Sequence, residues 1–210
     1  MKELDLLKKD WQKSANSFNQ ISETEIYKMI HKKSSSIVKW ILIISILEVL
    51  LWTCLSFCFD SDGYLKKIEQ AEIITLLTVL NYFNYGVVLA FIYVFYKNYI
   101  AISTTVSTKQ LMHDILKTRK TVQYYVWYNL GMIVVYCVIA FTIAFVYNPE
   151  MIVLKDKIAT NGKVMAITIV VLVLTILMFL GVFWLFYRIL YGILMRRLYS
   201  NYKELKKIDL

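Results

Sequence analysis

The sequence predicts an all-α integral membrane protein: a four-transmembrane-helix bundle with helical extensions at one end. Three observations predict it. Four apolar stretches, 40–59, 73–96, 121–148 and 164–187, contain a single charged residue between them, Glu48. A run of about 20 apolar residues matches a hydrocarbon core of about 30 Å at about 1.5 Å per helical residue. The basic residues segregate: of 24 Lys and Arg, 19 fall in segments 1–39, 97–120 and 188–210, and 5 in segments 60–72 and 149–163. The lysine-rich segments alternate with the lysine-poor ones, which places both termini on one face. The positive-inside rule makes that face the cytoplasmic side. Finally, one proline and six glycines leave little to interrupt long helices.

Composition narrows the function classes. With 59% hydrophobic and 19% charged residues and a mean hydropathy of +0.55, no large soluble domain fits beside four spans. Continuous apolar runs, rather than alternating ones, argue against a membrane β-barrel. The net charge of +9 follows from the topology, so no nucleic-acid partner is expected. The basic segments instead favour anionic headgroups by about 1 kcal/mol per nearby residue. Cys54, Cys58 and Cys137 all lie in spans and read as buried apolar thiols. Positions four apart on one helix are poorly placed for a disulfide. Their spacing fits neither zinc nor haem.

Residues 1–20 form the first predicted unit, a cytoplasmic amphipathic helix. Leu4, Leu7 and Trp11 fall on one face, with Lys8, Lys9 and Lys13 around them. That face is a candidate contact for a partner or for the membrane surface. The first apolar run starts only at Trp40, behind this mixed-charge segment. It therefore reads as a signal anchor, not a cleaved signal peptide.

Residues 22–210 form the bundle, with spans at about 40–59, 73–96, 124–147 and 164–187. Ser22 and Glu25 have the spacing of a capping box, and Ile21 and Ile26 that of a hydrophobic staple. Nothing breaks the helix between Glu23 and Phe59, so the stripe Ile26, Ile30, Ile37 runs into span one. Asp60-Ser-Asp-Gly63 is the turn that stops it. Span two returns to about Tyr96–Tyr99, and Ser103–Ser107 is the weak point before the next helix. Ser107 and Gln110 predict a second capping box, opening a helix with the stripe Leu111, Ile115, Val122. Asn148-Pro149 ends span three, and Asn161-Gly162 marks the turn before span four. Span four overshoots the membrane along Leu198, Tyr202 and Leu205. Trp40, Tyr96, Tyr99, Tyr124, Tyr125, Trp127, Tyr187 and Tyr191 map to the inner interface, and Phe59, Tyr64 and Tyr147 to the outer one. All are read as interfacial anchors.

Glu48 is the candidate site residue that stands out. It lies eight residues past Trp40, about 12 Å into the membrane and near the midplane. A carboxylate there costs at least ~2.5 kcal/mol on insertion scales. Matching depth selects a polar cluster around it: Asn84 and Tyr85 on span two, Tyr136 on span three and Thr175 on span four. Asn81 and Asn129 lie within a turn or two. Glu48 serves either as interhelical glue worth about 0.6–2 kcal/mol, or as the proton or cation site of a small transporter or channel. The second reading lacks a second acid, a broken helix or an internal repeat, and the first is preferred. His31 and His113 read as solvated cytoplasmic residues beside Glu25 and Asp114. No catalytic, phosphate-binding or metal motif is present, so no cofactor is expected. The chain reads as a non-enzymatic accessory, scaffold or regulatory subunit working through contacts with a protein partner or a second copy.

Three stretches carry a family resemblance: Leu4-Asp-Leu-Leu-Lys-Lys-Asp-Trp11, Glu25 to Trp40, and Ile115 to Trp127. They resemble small four-span inner-membrane proteins of Gram-negative bacteria that have no assigned function. Some of those proteins carry a beta-carotene monooxygenase label. Carotenoid oxygenases are large β-propellers with four histidines around iron, and this chain has two histidines. The resemblance therefore implies a four-span fold in a bacterial inner membrane and no oxygenase activity. The opening Leu-Leu-Lys-Lys-Asp-Trp11 is also similar to the N-terminal helix of membrane-anchored anti-sigma factors, which normally have one span.

Overall fold

A computed structural model describes residues 22–58, 71–148 and 151–208. The N-terminal helix bearing Leu4, Leu7 and Trp11, the Ile21 half of the staple and the turn at 60–63 lie outside the described residues. The helices are α1 (Glu23–Cys58), α2 (Ala71–Thr104), α3 (Thr108–Tyr147), α4 (Ile152–Thr160) and α5 (Gly162–Ile208). α1, α2, α3 and α5 have 36, 34, 40 and 47 residues, and each is long and apolar enough to cross a membrane. At about 1.5 Å per residue they reach about 50–70 Å, well beyond a hydrocarbon layer of about 30 Å. Each apolar span therefore continues as helix into the lysine-rich segments, as the stripes predict.

Local chemistry sets the helix ends. At the start of α1 the capping box forms. The Glu25 N–H donates to Ser22 Oγ and the Ser22 N–H to Glu25 Oε2, both at 3.2 Å. The second predicted box does not form. Ser107 is extended but makes no side-chain cap, and Gln110 Nε2 turns to the Asp114 carboxylate at 3.4 and 3.5 Å. An acidic neighbour one turn ahead competes for the Gln amide. α3 stops at Asn148, and Lys155 Nζ donates to the Val146 carbonyl at 2.8 Å, satisfying an orphan group at the helix end. The short α4 occupies a stretch read from sequence only as a connection. Asn161 closes it, and its side-chain oxygen accepts from the Lys163 N–H at 3.0 Å as α5 begins.

The packed core lies almost wholly at the lysine-rich end. Leu111, Ile115, Thr118, Val122 and Tyr125 are buried along α3. α5 contributes Tyr187, Tyr191, Leu198, Asn201 and Leu205, and α1 contributes Ile30, Ser34, Ile37, Ile41, Ser45 and Glu48. Along α3 these recur at steps of three and four and along α5 at three, four and seven, the 3.5-residue period of knobs-into-holes packing in a left-handed bundle. Past the level of Glu48, the buried apolar side chains thin out to Val88, Leu130 and Ile143 among the described residues. Leu174, Leu177 and Met178 on α5 stay exposed. In lipid that exposure carries no hydrophobic penalty, so nothing drives these faces together as water does at the other end.

Candidate functional site

Glu48 sits where the two regimes meet. It is 5% exposed, and tyrosines from two other helices close around it. From α5, Tyr187 donates to Oε1 at 2.5 Å and Tyr191 to Oε2 at 3.1 Å. From α3, Tyr125 donates to Oε2 at 2.9 Å. One carboxyl group thus ties α1, α3 and α5 together. The ion pair seen among the described residues is His113 Nδ1 with Asp114 at 3.5 Å, so within them Glu48 has no cationic partner.

The three tyrosines were read from sequence as interfacial anchors, and the structure corrects this. All three are buried, their hydroxyls turned inward to the acid. A signal existed: Tyr191, Leu198 and Leu205 repeat at seven residues, so Tyr191 belongs to the core stripe of α5. Of the other inner-interface aromatics, Trp40, Tyr96, Tyr124 and Trp127 are exposed, while Tyr99 is half-buried and packs against the core.

On the lysine-rich side, aromatic rings seal the site. Tyr125 meets Phe91, Phe95 and Tyr191 edge-on at centroid distances of 5.4, 5.5 and 5.9 Å. These T-shaped contacts are the favoured geometry for ring quadrupoles. On the other side a cavity of about 390 Å³ opens, walled by all four long helices. Glu48 lines it, with Asn81, Asn84, Tyr85, Asn129 and Tyr136, so the structure gathers these members of the predicted cluster. Trp52, Met132, Phe179 and Phe183 supply the apolar wall.

Thr175 is the exception and is corrected. It is not part of the cavity wall, and its hydroxyl donates to the Val171 carbonyl of its own helix at 2.8 Å. Depth matching fixes height along a helix but not the direction a side chain faces. Asn129 also bonds within its helix, its Nδ2 donating to the Tyr125 carbonyl at 2.9 Å. Asn81 and Asn84 link α2 to α3: their side-chain oxygens accept from Tyr136 at 2.8 Å and from Tyr128 at 3.0 Å. Their amide NH2 groups have no hydrogen-bond partner among the described residues, and both residues line the cavity.

A second polar clasp lies deeper in the lysine-rich end. Asn201 Nδ2 donates to Ser34 Oγ at 2.9 Å, both residues fully buried. Ser34 and Glu48 are two heptads apart on α1, as are Tyr187 and Asn201 on α5. The two clasps therefore pin the antiparallel register of these helices at points about 21 Å apart. Asn201 Oδ1 and His31 Nε2 are buried with no partner among the described residues. His31, expected to be solvated, is instead half-buried with its ring 5.9 Å from that of Tyr27. His113 is exposed, as expected. Cys54 is exposed and Cys137 half-buried at the cavity wall, so Cys54 departs from the expectation of buried thiols.

No curated protein and no solved structure matches the chain. A family model does, over residues 24–210, which takes in Glu48 and all but the first residue of the five described helices. The chain thus belongs to the family described as a domain of unknown function, DUF8845.

Proposed function

We propose that this is a multi-pass protein of a bacterial inner membrane, with both termini cytoplasmic, that works through protein contacts as an accessory, scaffold or regulatory subunit and not as an enzyme. One observation carries the reading: the lysine-rich end is a packed helical body that extends beyond the apolar spans. Ile30, Leu111, Ile115, Leu198 and Leu205 give it a core of its own. A rigid surface of this kind spares a partner the entropy of ordering it on binding. Met29 and Val106 lie exposed at this end, apolar points on a basic surface. The lysine distribution supports the orientation. The engagement of Glu48 by three tyrosines supports a structural use of the intramembrane acid.

A second reading, a small transporter or channel coupled through Glu48, is favoured by the cavity directly against that residue. Two experiments separate the readings. Met29→Glu combined with Val106→Glu is expected to shift the protein from a complex to free-subunit size on native gels of solubilised membranes. Wild-type protein in proteoliposomes is expected to carry no proton or cation flux. A flux abolished by Glu48→Gln would overturn the contact reading.

A further inference from the structure

We propose that the cavity beside Glu48 is a binding site for a lipophilic organic cation. A carboxylate offers about four lone-pair positions. Tyr125 and Tyr191 both donate to Oε2 but Tyr187 alone donates to Oε1, which leaves one acceptor position on Oε1. Glu48 is part of the cavity wall, so that capacity is offered to whatever fills the space. With no cationic partner among the described residues, the site holds an acid without its counter-charge. The cost of an unpaired charge in a low-dielectric setting is high, and a bound cation offsets it.

The walls select the rest of the ligand. Trp52 and Phe183 line the cavity with ring centroids 5.7 Å apart, and Phe179, Tyr85 and Tyr187 add further aromatic surface. Aromatic faces attract an organic cation while accepting its apolar substituents. A volume of about 390 Å³ accommodates a drug-sized molecule. A bare metal ion is disfavoured, because the cavity supplies it one acid and a largely apolar lining. The NH2 groups of Asn81 and Asn84, unpartnered among the described residues, add donors for a carbonyl or ether oxygen on the same molecule. The inference stands apart from both functional readings, because it concerns occupancy and not flux or partner contact.

The test uses a pair of probes of one shape and opposite charge, tetraphenylphosphonium and tetraphenylborate. Equilibrium dialysis against full-length protein in nanodiscs, referenced to empty nanodiscs, reads their protein-specific binding. The wild type is expected to prefer the cation by about tenfold or more. Glu48→Gln is expected to abolish that preference. Trp52→Ala, a partly exposed position that leaves the tyrosine clasp intact, is expected to weaken cation binding by a similar factor. Equal binding of the two probes by the wild type, or a cation preference that survives Glu48→Gln, overturns the proposal.

Discussion

The two ends of the bundle are built from the same four helices yet solve opposite problems. At the lysine-rich end the helices stand among charged segments, and apolar stripes close into a core of fully buried side chains. Beyond Glu48 the same helices carry apolar residues on every face, so burial no longer distinguishes inside from outside. There the helices are held by a few polar links, Asn81–Tyr136 and Asn84–Tyr128 among them, and a cavity remains between them. The difference teaches that the packing of this fold resides mainly on the lysine-rich side of Glu48. The part beyond Glu48 is free to keep open space.

Substitutions that load one end and spare the other break or sharpen this contrast. The largest effect is expected at the core: Leu198→Ala removes a fully buried side chain and should cost about 2–5 kcal/mol. Leu174→Ala, 59% exposed on the same helix, should stay within about 0.5 kcal/mol. Unfolding of the two variants in matched detergent decides this, and equal losses would erase the contrast. Next, Glu48→Ala strands three tyrosyl hydroxyls at the junction of the two ends. The expected loss is about 2–4 kcal/mol, since interhelical hydrogen bonds in bilayers measure up to about 1.7 kcal/mol each. Glu48→Gln, which keeps an acceptor, should lose less than half as much in the same assay.

A smaller effect is expected at the deeper clasp. Asn201→Leu gives up one hydrogen bond but also removes a buried oxygen that has no partner among the described residues. Stability should change by less than about 1 kcal/mol. The register of α1 against α5 should loosen, read as a broader distance distribution between labels on the two helices. The smallest is Tyr136→Phe, which deletes one exposed link at the cavity rim for about 0.6 kcal/mol. A loss above about 2 kcal/mol there would mean that the open end contributes far more than its packing suggests.

Much of this architecture was legible in the sequence because its signals are local or one-dimensional. The Ser22–Glu25 cap, the uninterrupted helix through span one and the stripes Leu111-Ile115-Val122 and Leu198-Leu205 need only spacing to be read. The height of Glu48 relative to Asn81, Asn84 and Asn129 follows from rise per residue. What spacing along one helix does not supply is rotation against the others. Thr175 has the right height and faces elsewhere. Tyr125, Tyr187 and Tyr191 lie near the ends of apolar runs, where a tyrosine suits an interface and a buried acid equally well. Only the phase of the heptad separates those uses. The short α4 escaped notice because a nine-residue helix without a buried face leaves no periodic signal.

The contrast between a closed lysine-rich end and an open opposite end is most directly tested by spin-label distances in nanodiscs, on a background lacking the native cysteines. One pair joins Lys33 to Arg197 across α1 and α5 at the lysine-rich end, and the other joins Ser56 to Met165 across the same helices at the far end; all four positions are exposed. The account predicts a single narrow distribution for the first pair and a distinctly broader one for the second. Equal widths, or the broader distribution at the lysine-rich end, would contradict it.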